Sequence, residues 1–357
     1  MKISDLGRYA LGICAAIAIP TGCGSQTPIG APGAMPQMQP NRQIVAEANG
    51  SQSSLSAEAP ATNPNLYVAN YGNSTVTVYA KSSTKVLRTI SKGIYDPVTL
   101  AIGSAGYLYV ANYDNRVTEY APGKTSVLRT ISKGISAPYA LAFDGSGSLY
   151  VANAGNNTVT VYAKGSTKVL RTISKGITNP LALAFDGSGN LYVGNGTISA
   201  NYVTVYAPGS GSVLRTISKG IDGPISLGFG GNGHLYVADL SNNTATEYGS
   251  GKDSLRRTIS QGVSGPLEVA FDGSGSLYVA NASSNTVTVY AKGHSKVLRT
   301  ISQGISNPVA LVFGSAGYLF VANQGKNTVT EYAPGSGKVV RTISKGVNAP
   351  YDLAFGP

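Results

Sequence analysis

His234 and His294 are the only imidazoles in the 357-residue chain. General acid or base work needs such a ring within hydrogen-bond reach of its target and oriented by a partner. Both histidines fall in hairpin loops of different repeats, on the face carrying first-to-second and third-to-fourth loops, with no carboxylate patterned beside them. Catalysis by either is not expected. Glu268 and Asp352 are the next candidates, because each takes the third position of a segment of the form P-x-x-L-A-F. With Asn179, Asn307 and Asn348 ahead of the corresponding prolines, they offer oxygens that a divalent ion accepts. Polar lining of a wet channel is the simpler reading. Asn70, Asn112, Asn153, Asn195, Asp239, Asn281 and Asn323 recur at the ends of similar segments, where amide and carboxylate side chains bond nearby backbone. The "DGSG" hairpins at Asp144, Asp186 and Asp272 lack the several oxygen ligands at set positions that a calcium loop needs, and read as turns.

One group of residues departs from its surroundings. Tyr71, Tyr95, Asp96, Tyr113 and Asp114 stand where other repeats carry mostly Ser, Ala, Asn, Thr or Gly, and Tyr139, Tyr351 and Asp352 open two further segments. Tyr presents a flat apolar body with a polar tip, suited to sugars or peptides. Drift within a Tyr-rich sequence would produce the same departures without a site. The expected ligand-binding set is Tyr71, Tyr95, Asp96, Tyr113, Asp114, Tyr139, Tyr351 and Asp352.

The elements that must hold these residues are repeats. "LYVAN"-type phrases begin at Leu66, Leu108, Leu149, Leu191, Leu235, Leu277 and Leu319, a period in the range of propeller blades. Each unit holds four strand candidates, such as "YALAF", "LYVAN", "TVTVYA" and "VLRTI" from Tyr139 onward, bounded by Gly, Asn, Ser or Pro. The 45 glycines supply the positive φ that tight hairpins require. The chain opens on a second strand and ends on a spare first strand, "YDLAF" at 351–355, which predicts ring closure by pairing with the N-terminal unit. The expected fold is all-β: a seven-bladed propeller of four-stranded antiparallel blades over 64–357. Arg88, Arg129, Arg171, Arg215, Arg257, Arg299 and Arg341 recur on the outermost strand, and much of the +11 charge is expected there, guarding exposed edges.

The phrase "PYALAFDGSGSLYVANAGNNTVTVYA" resembles the NHL and YVTN repeats of seven-bladed propellers, including extracellular and surface-layer-type proteins. The resemblance covers everything after the N-terminal segment and implies the fold; it implies little about activity, since such folds host binders, scaffolds and unrelated enzymes. Streptogramin-lyase propellers, similar in blade pattern, rely on a His and Glu constellation not evident in this sequence. Gluconolactonase-type propellers set carboxylates and amides around the axis, for which Glu268 and Asp352 are the nearest equivalents.

Residues 1–23 carry Lys2 and Arg8 ahead of a short apolar run, the layout of a secretory signal, ending in "PTGC". That ending resembles a bacterial lipobox, with Pro20 in place of the usual Leu, and implies lipidation of Cys23. Cys14 would leave with the signal, so Cys23 would have no disulfide partner. Residues 24–63, rich in Pro, Ser, Gln and Ala, read as a disordered tether with an end-to-end distance of about 35 Å. The expectation is a monomeric, noncatalytic binding or scaffold module, extracytoplasmic and lipid-anchored to a bacterial membrane. Its partner would be a protein, peptide or glycan, with no cofactor and no nucleic acid. The alternative is a metal-dependent hydrolase or lyase of the lactonase-like type.

Overall fold

A segment such as Leu149–Asn153 is buried at every position, although a strand alternates its side chains between two faces. Such a strand needs neighbours on both sides. The computed structural model, which describes residues 64–196 and 201–357, meets that need with seven four-stranded antiparallel sheets arranged as the blades of a propeller. The expected signal, Cys23 lipidation site and tether lie outside the described residues. Blade 1 combines 65–90 with 350–356; blades 2 to 7 span 97–131, 138–173, 180–217, 224–259, 266–301 and 308–343. Within blade 3 the strands run outward in order: Pro138–Phe143, Leu149–Asn153, Thr158–Tyr162 and Val169–Ile173.

The core lies between blades. Tyr150, Ala152, Val159 and Ile173 of blade 3 pack on Leu183, Leu191 and Val193 of blade 4, and equivalent clusters recur around the ring. A second-strand aromatic meets a first-strand Phe of the next blade edge-on, as Tyr150 meets Phe185 with ring centroids 5.0 Å apart. Each third-strand Tyr also donates its hydroxyl to a carbonyl in the connection leading in from the preceding blade: Tyr162 to Lys133 at 2.5 Å, Tyr206 to Lys175 at 2.7 Å. The loop receiving that bond turns at a glycine. At Gly176 φ is +73°, and a Cβ there would stand 2.7 Å from Val213 Cγ2, so the "SKG" sequence leaves no room for a side chain.

Closure follows the expected route. Pro350–Gly356 pairs antiparallel with Asn65–Asn70, Leu353 opposite Val68. Tyr79 donates its hydroxyl to Lys345 O at 2.6 Å, and Tyr67 to Pro357 O at 2.8 Å. Each first strand also bulges just after its proline, leaving Val98, Tyr139, Leu181, Ile225, Leu267, Val309 and Tyr351 outside the ladder. A bulge re-aims the side chain it carries.

The repeated polar residues are largely absorbed by the fold. Asn153 donates Nδ2 to Val151 O and Thr160 Oγ1 and accepts the Ser136 N–H, tying two strands to the incoming loop. Asp144 accepts the N–H groups of Ser146 and Ser148, each at 2.9 Å, as a turn residue does. The arginines differ from expectation. In "VLRTI" the exposed side chains are Leu and Thr, while Arg shares the half-buried face with Val. Arg171 donates to Tyr150 Oη at 3.0 Å and to Gly209 O of the next blade at 2.5 Å. The two-residue alternation turns these cations into the clefts between blades, and the outward row is Leu87, Leu128, Leu170, Leu214, Leu298 and Val340.

Candidate functional site

Second-to-third loops and the connections between blades emerge on one face, where the first strands also begin. Tyr71 follows the second strand of blade 1, and Tyr113 follows that of blade 2. Tyr95 and Asp96 lie in the connection from blade 1 to blade 2. Tyr113 is bound to that connection, its N–H donating to Tyr95 O at 3.2 Å, while the Tyr95 N–H donates to Asn112 Oδ1 at 3.0 Å. Tyr139 and Tyr351 are the bulge residues of blades 3 and 1. Five other blades have Val, Leu or Ile there, and those are buried.

These residues form one patch. Tyr71 and Tyr351 stack with centroids 5.2 Å apart and planes tilted by 32°. Burial, then the Asp96 carboxylate and the Tyr113 and Tyr95 phenols, hold the Tyr71 phenol above its ordinary pKa. Burial raises Tyr139 strongly, with Tyr113 and Tyr71 adding to it. Tyr351 is raised most by burial, then by Tyr139, Tyr71 and Tyr113. The consequence is a cluster of neutral hydroxyls, able to donate as well as accept at any ordinary pH. Tyr95 and Tyr113 are 52 % and 60 % exposed, the most exposed aromatics among the described residues.

The acids divide. Asp96 Oδ1 accepts from Ser74 Oγ at 2.9 Å, in a backbone turn with φ of +43°. Asp114 pairs with Arg116 through Oδ2, and its Oδ1 has no hydrogen-bond partner among the described residues. Asp352 departs from the expected surface acceptor: it is 1 % exposed, and its Oδ2 accepts from Thr99 Oγ1 at 3.0 Å and from the Leu100 N–H at 2.7 Å. Glu268 is buried likewise and accepts the Leu311 N–H at 2.5 Å. Both carboxylates thus satisfy backbone donors on the free inner edge of the next blade. This bonding gives both carboxylates a structural task. Among the described residues no cluster of three or more His, Cys, Asp or Glu is placed to hold a metal.

No protein-family model matches the chain, and no curated protein matches it in sequence. The fold has solved counterparts. A protein of unknown function from Desulfotomaculum acetoxidans aligns with a TM-score of 0.68 at 18 % identity, over 82 % of this chain and 98 % of that one. A candidate 6-phosphogluconolactonase from Bacteroides uniformis gives 0.67 at 16 % identity, over 83 % and 100 %. Hydrazine synthase of Kuenenia stuttgartiensis gives 0.65 at 16 %, over 76 % and 92 %. At such identities the likeness shows the fold alone.

On the opposite face, sequence reasoning missed a pair. His234 Nδ1 lies 2.6 Å from Glu247 Oε1. Glu247 sits opposite Tyr236, two residues after the histidine, so the strand alternation puts His234 and Glu247 on one side of the sheet. The visible signal was "TATEY" in blade 5, where blades 1, 3 and 6 read "TVTVY".

Proposed function

We propose that the protein is a noncatalytic binding module whose partner, a protein, peptide or glycan, docks on the face bearing Tyr71, Tyr95, Tyr113, Tyr139 and Tyr351. The observation that carries this reading is the convergence of five tyrosines from three blades into one patch, where the other blades present small or aliphatic residues. Exposed rings supply stacking area at low entropic cost, and the raised phenols supply donors. Asp96 offers an acceptor at the margin. The module acts as a monomer outside the cytoplasm, held to a membrane by lipid on Cys23. A metal-dependent hydrolase or lyase is the other reading. It draws on the fold shared with the candidate lactonase, and the bonding of Glu268 and Asp352 to backbone amides weighs against it.

A screen of glycan and peptide arrays with the full-length chain tests the proposal. Selective retention of a few related ligands, independent of chelator, is expected. Retention of none, together with chelator-sensitive lactone hydrolysis, would replace the binding reading with the enzymatic one. Cell fractionation tests the anchor separately: Cys23→Ala should move the protein from the membrane to the soluble fraction, and an unchanged distribution would remove it.

A further inference from the structure

Between neighbouring blades, on the face opposite the tyrosines, lie clefts that receive recurring arginines, Arg129 and Arg257 among them. Three clefts share an added pattern: where a blade has Glu on its third strand (Glu119, Glu247, Glu331), the next has Lys in its third-to-fourth turn (Lys164, Lys292, Lys81). The cleft between blades 5 and 6 goes further. His234 stands where blades 2 and 7 have Tyr107 and Tyr318, and Arg256 replaces the exposed aliphatic residue found on every other rim strand.

This cleft is lined by Asn232, His234, Glu247, Arg256, Arg257 and Lys292, and has a volume of about 510 Å³. Glu247 has no side-chain exposure and is engaged by Arg257 through Oε2 and by His234 through Oε1. Burial pushes the Glu247 carboxyl up, but Arg257 and His234 outweigh it and hold it below the ordinary value. In the cleft between blades 2 and 3, lined by Tyr107, Glu119, Arg129 and Lys164, with Leu128 at the sequence position equivalent to Arg256, burial wins and Glu119 is raised. The blade 5 to 6 cleft therefore holds a neutralised carboxylate at its base and surplus cations above. Arg256 is 55 % exposed, with Nε 3.7 Å from Glu247. Lys292 is exposed on the facing blade. With Nδ1–H of His234 donating to Glu247 Oε1, Nε2 is the ring nitrogen left for a ligand, as a donor when the ring is imidazolium and otherwise as an acceptor for the hydroxyl of a protonated phosphate.

We propose that the cleft between blades 5 and 6 binds a tetrahedral oxyanion, a phosphate or sulfate group free or carried as an ester, between Arg256, Lys292 and His234. Charge alone calls for an anion. The groups come from a strand of blade 5, a hairpin of the same blade and a turn of blade 6, so they meet an anion from separate sides, which a tetrahedral group with oxygens on every side satisfies better than a planar carboxylate. The site is independent of the tyrosine face.

Calorimetric titration of the full-length chain with inorganic phosphate, sulfate, glucose 6-phosphate and acetate tests the assignment. Saturable binding at one site per chain is expected for at least one tetrahedral probe, at least tenfold tighter than for acetate; glucose 6-phosphate against inorganic phosphate separates ester from free ion. Converting the cleft to its blade 2 to 3 counterpart with H234Y/R256L should weaken that binding at least tenfold. The single change R256L, at an exposed position, should weaken it several-fold without disturbing the fold. The reverse graft, Y107H/L128R, should raise the stoichiometry to two. Binding no tighter than acetate, or affinity unchanged in R256L and stoichiometry unchanged in the graft, would overturn the proposal.

Discussion

Asp239 stands where six other blades have Asn, fully buried, its Oδ2 accepting from Thr246 Oγ1 at 2.7 Å. An Asn there donates to the strand carbonyl two residues back; a carboxylate can only accept, so burial raises its pKa well above the ordinary 3.8, against the lowering effect of the Thr246 hydrogen bond. A raised folded pKa means a stabilising contribution that is complete below pH ~4 and is lost as pH rises through the folded value. Asp239→Asn should therefore change stability little at pH 4 and add about 1 kcal/mol at pH 8, about 2 °C in Tm. Thermal melts across that range check it; an equal effect at both pH values would show that the proton is not involved. The structural role of the Asn ring was legible, since Asn at a strand end bonds nearby backbone. The His234–Glu247 pair was not, because their contact depends on the register between two strands rather than on chain spacing.

Strands were legible as short runs bounded by Gly, Asn, Ser or Pro, and their order from short hairpins. Two features escaped that logic. The bulge after each proline depends on ladder register, which the repeats conceal by sharing it, and the direction of the rim arginines depends on which face of a splayed outer strand meets the next blade. The loops between blades were legible as Gly turns, and Gly176 allows a direct check. Gly176→Ala should cost about 2 kcal/mol or more, since positive φ and contact with Val213 act together; urea midpoints measure it, and an unchanged midpoint would show that the loop relaxes freely. The closing strand makes a larger claim. Truncation after Val347 removes the pairing with Asn65–Asn70 and the buried Leu353. At about 1 kcal/mol for each hydrogen bond plus the lost apolar burial, Tm should fall by several degrees and the open edges should drive oligomers. A truncated chain as stable and as monomeric as the parent in scattering would place closure elsewhere.

At the scale of the molecule, repetition and function separate. Seven near-identical blades bury one another's faces, so a residue present in all of them is accounted for by the ring. What remains are departures, and two groups of them stand out: the tyrosines of blades 1 to 3 on one face, and the cationic cleft of blades 5 and 6 on the other. The first was legible because five aromatics interrupt a plain template. That Asp352 is buried against Thr99 and Leu100 of blade 2 was hidden by the bulge beside it. The central claim is that the tyrosine face binds the partner, and the most direct measurement is the affinity of a ligand retained from the arrays for two paired variants. Tyr95→Ser with Tyr113→Ser should weaken binding at least tenfold, since loss of an aromatic anchor costs about 2 kcal/mol or more. Tyr107→Ser with Tyr318→Ser, on the opposite face, should leave it within twofold. Unchanged affinity in the first pair, whether or not the second is weakened, would contradict the account.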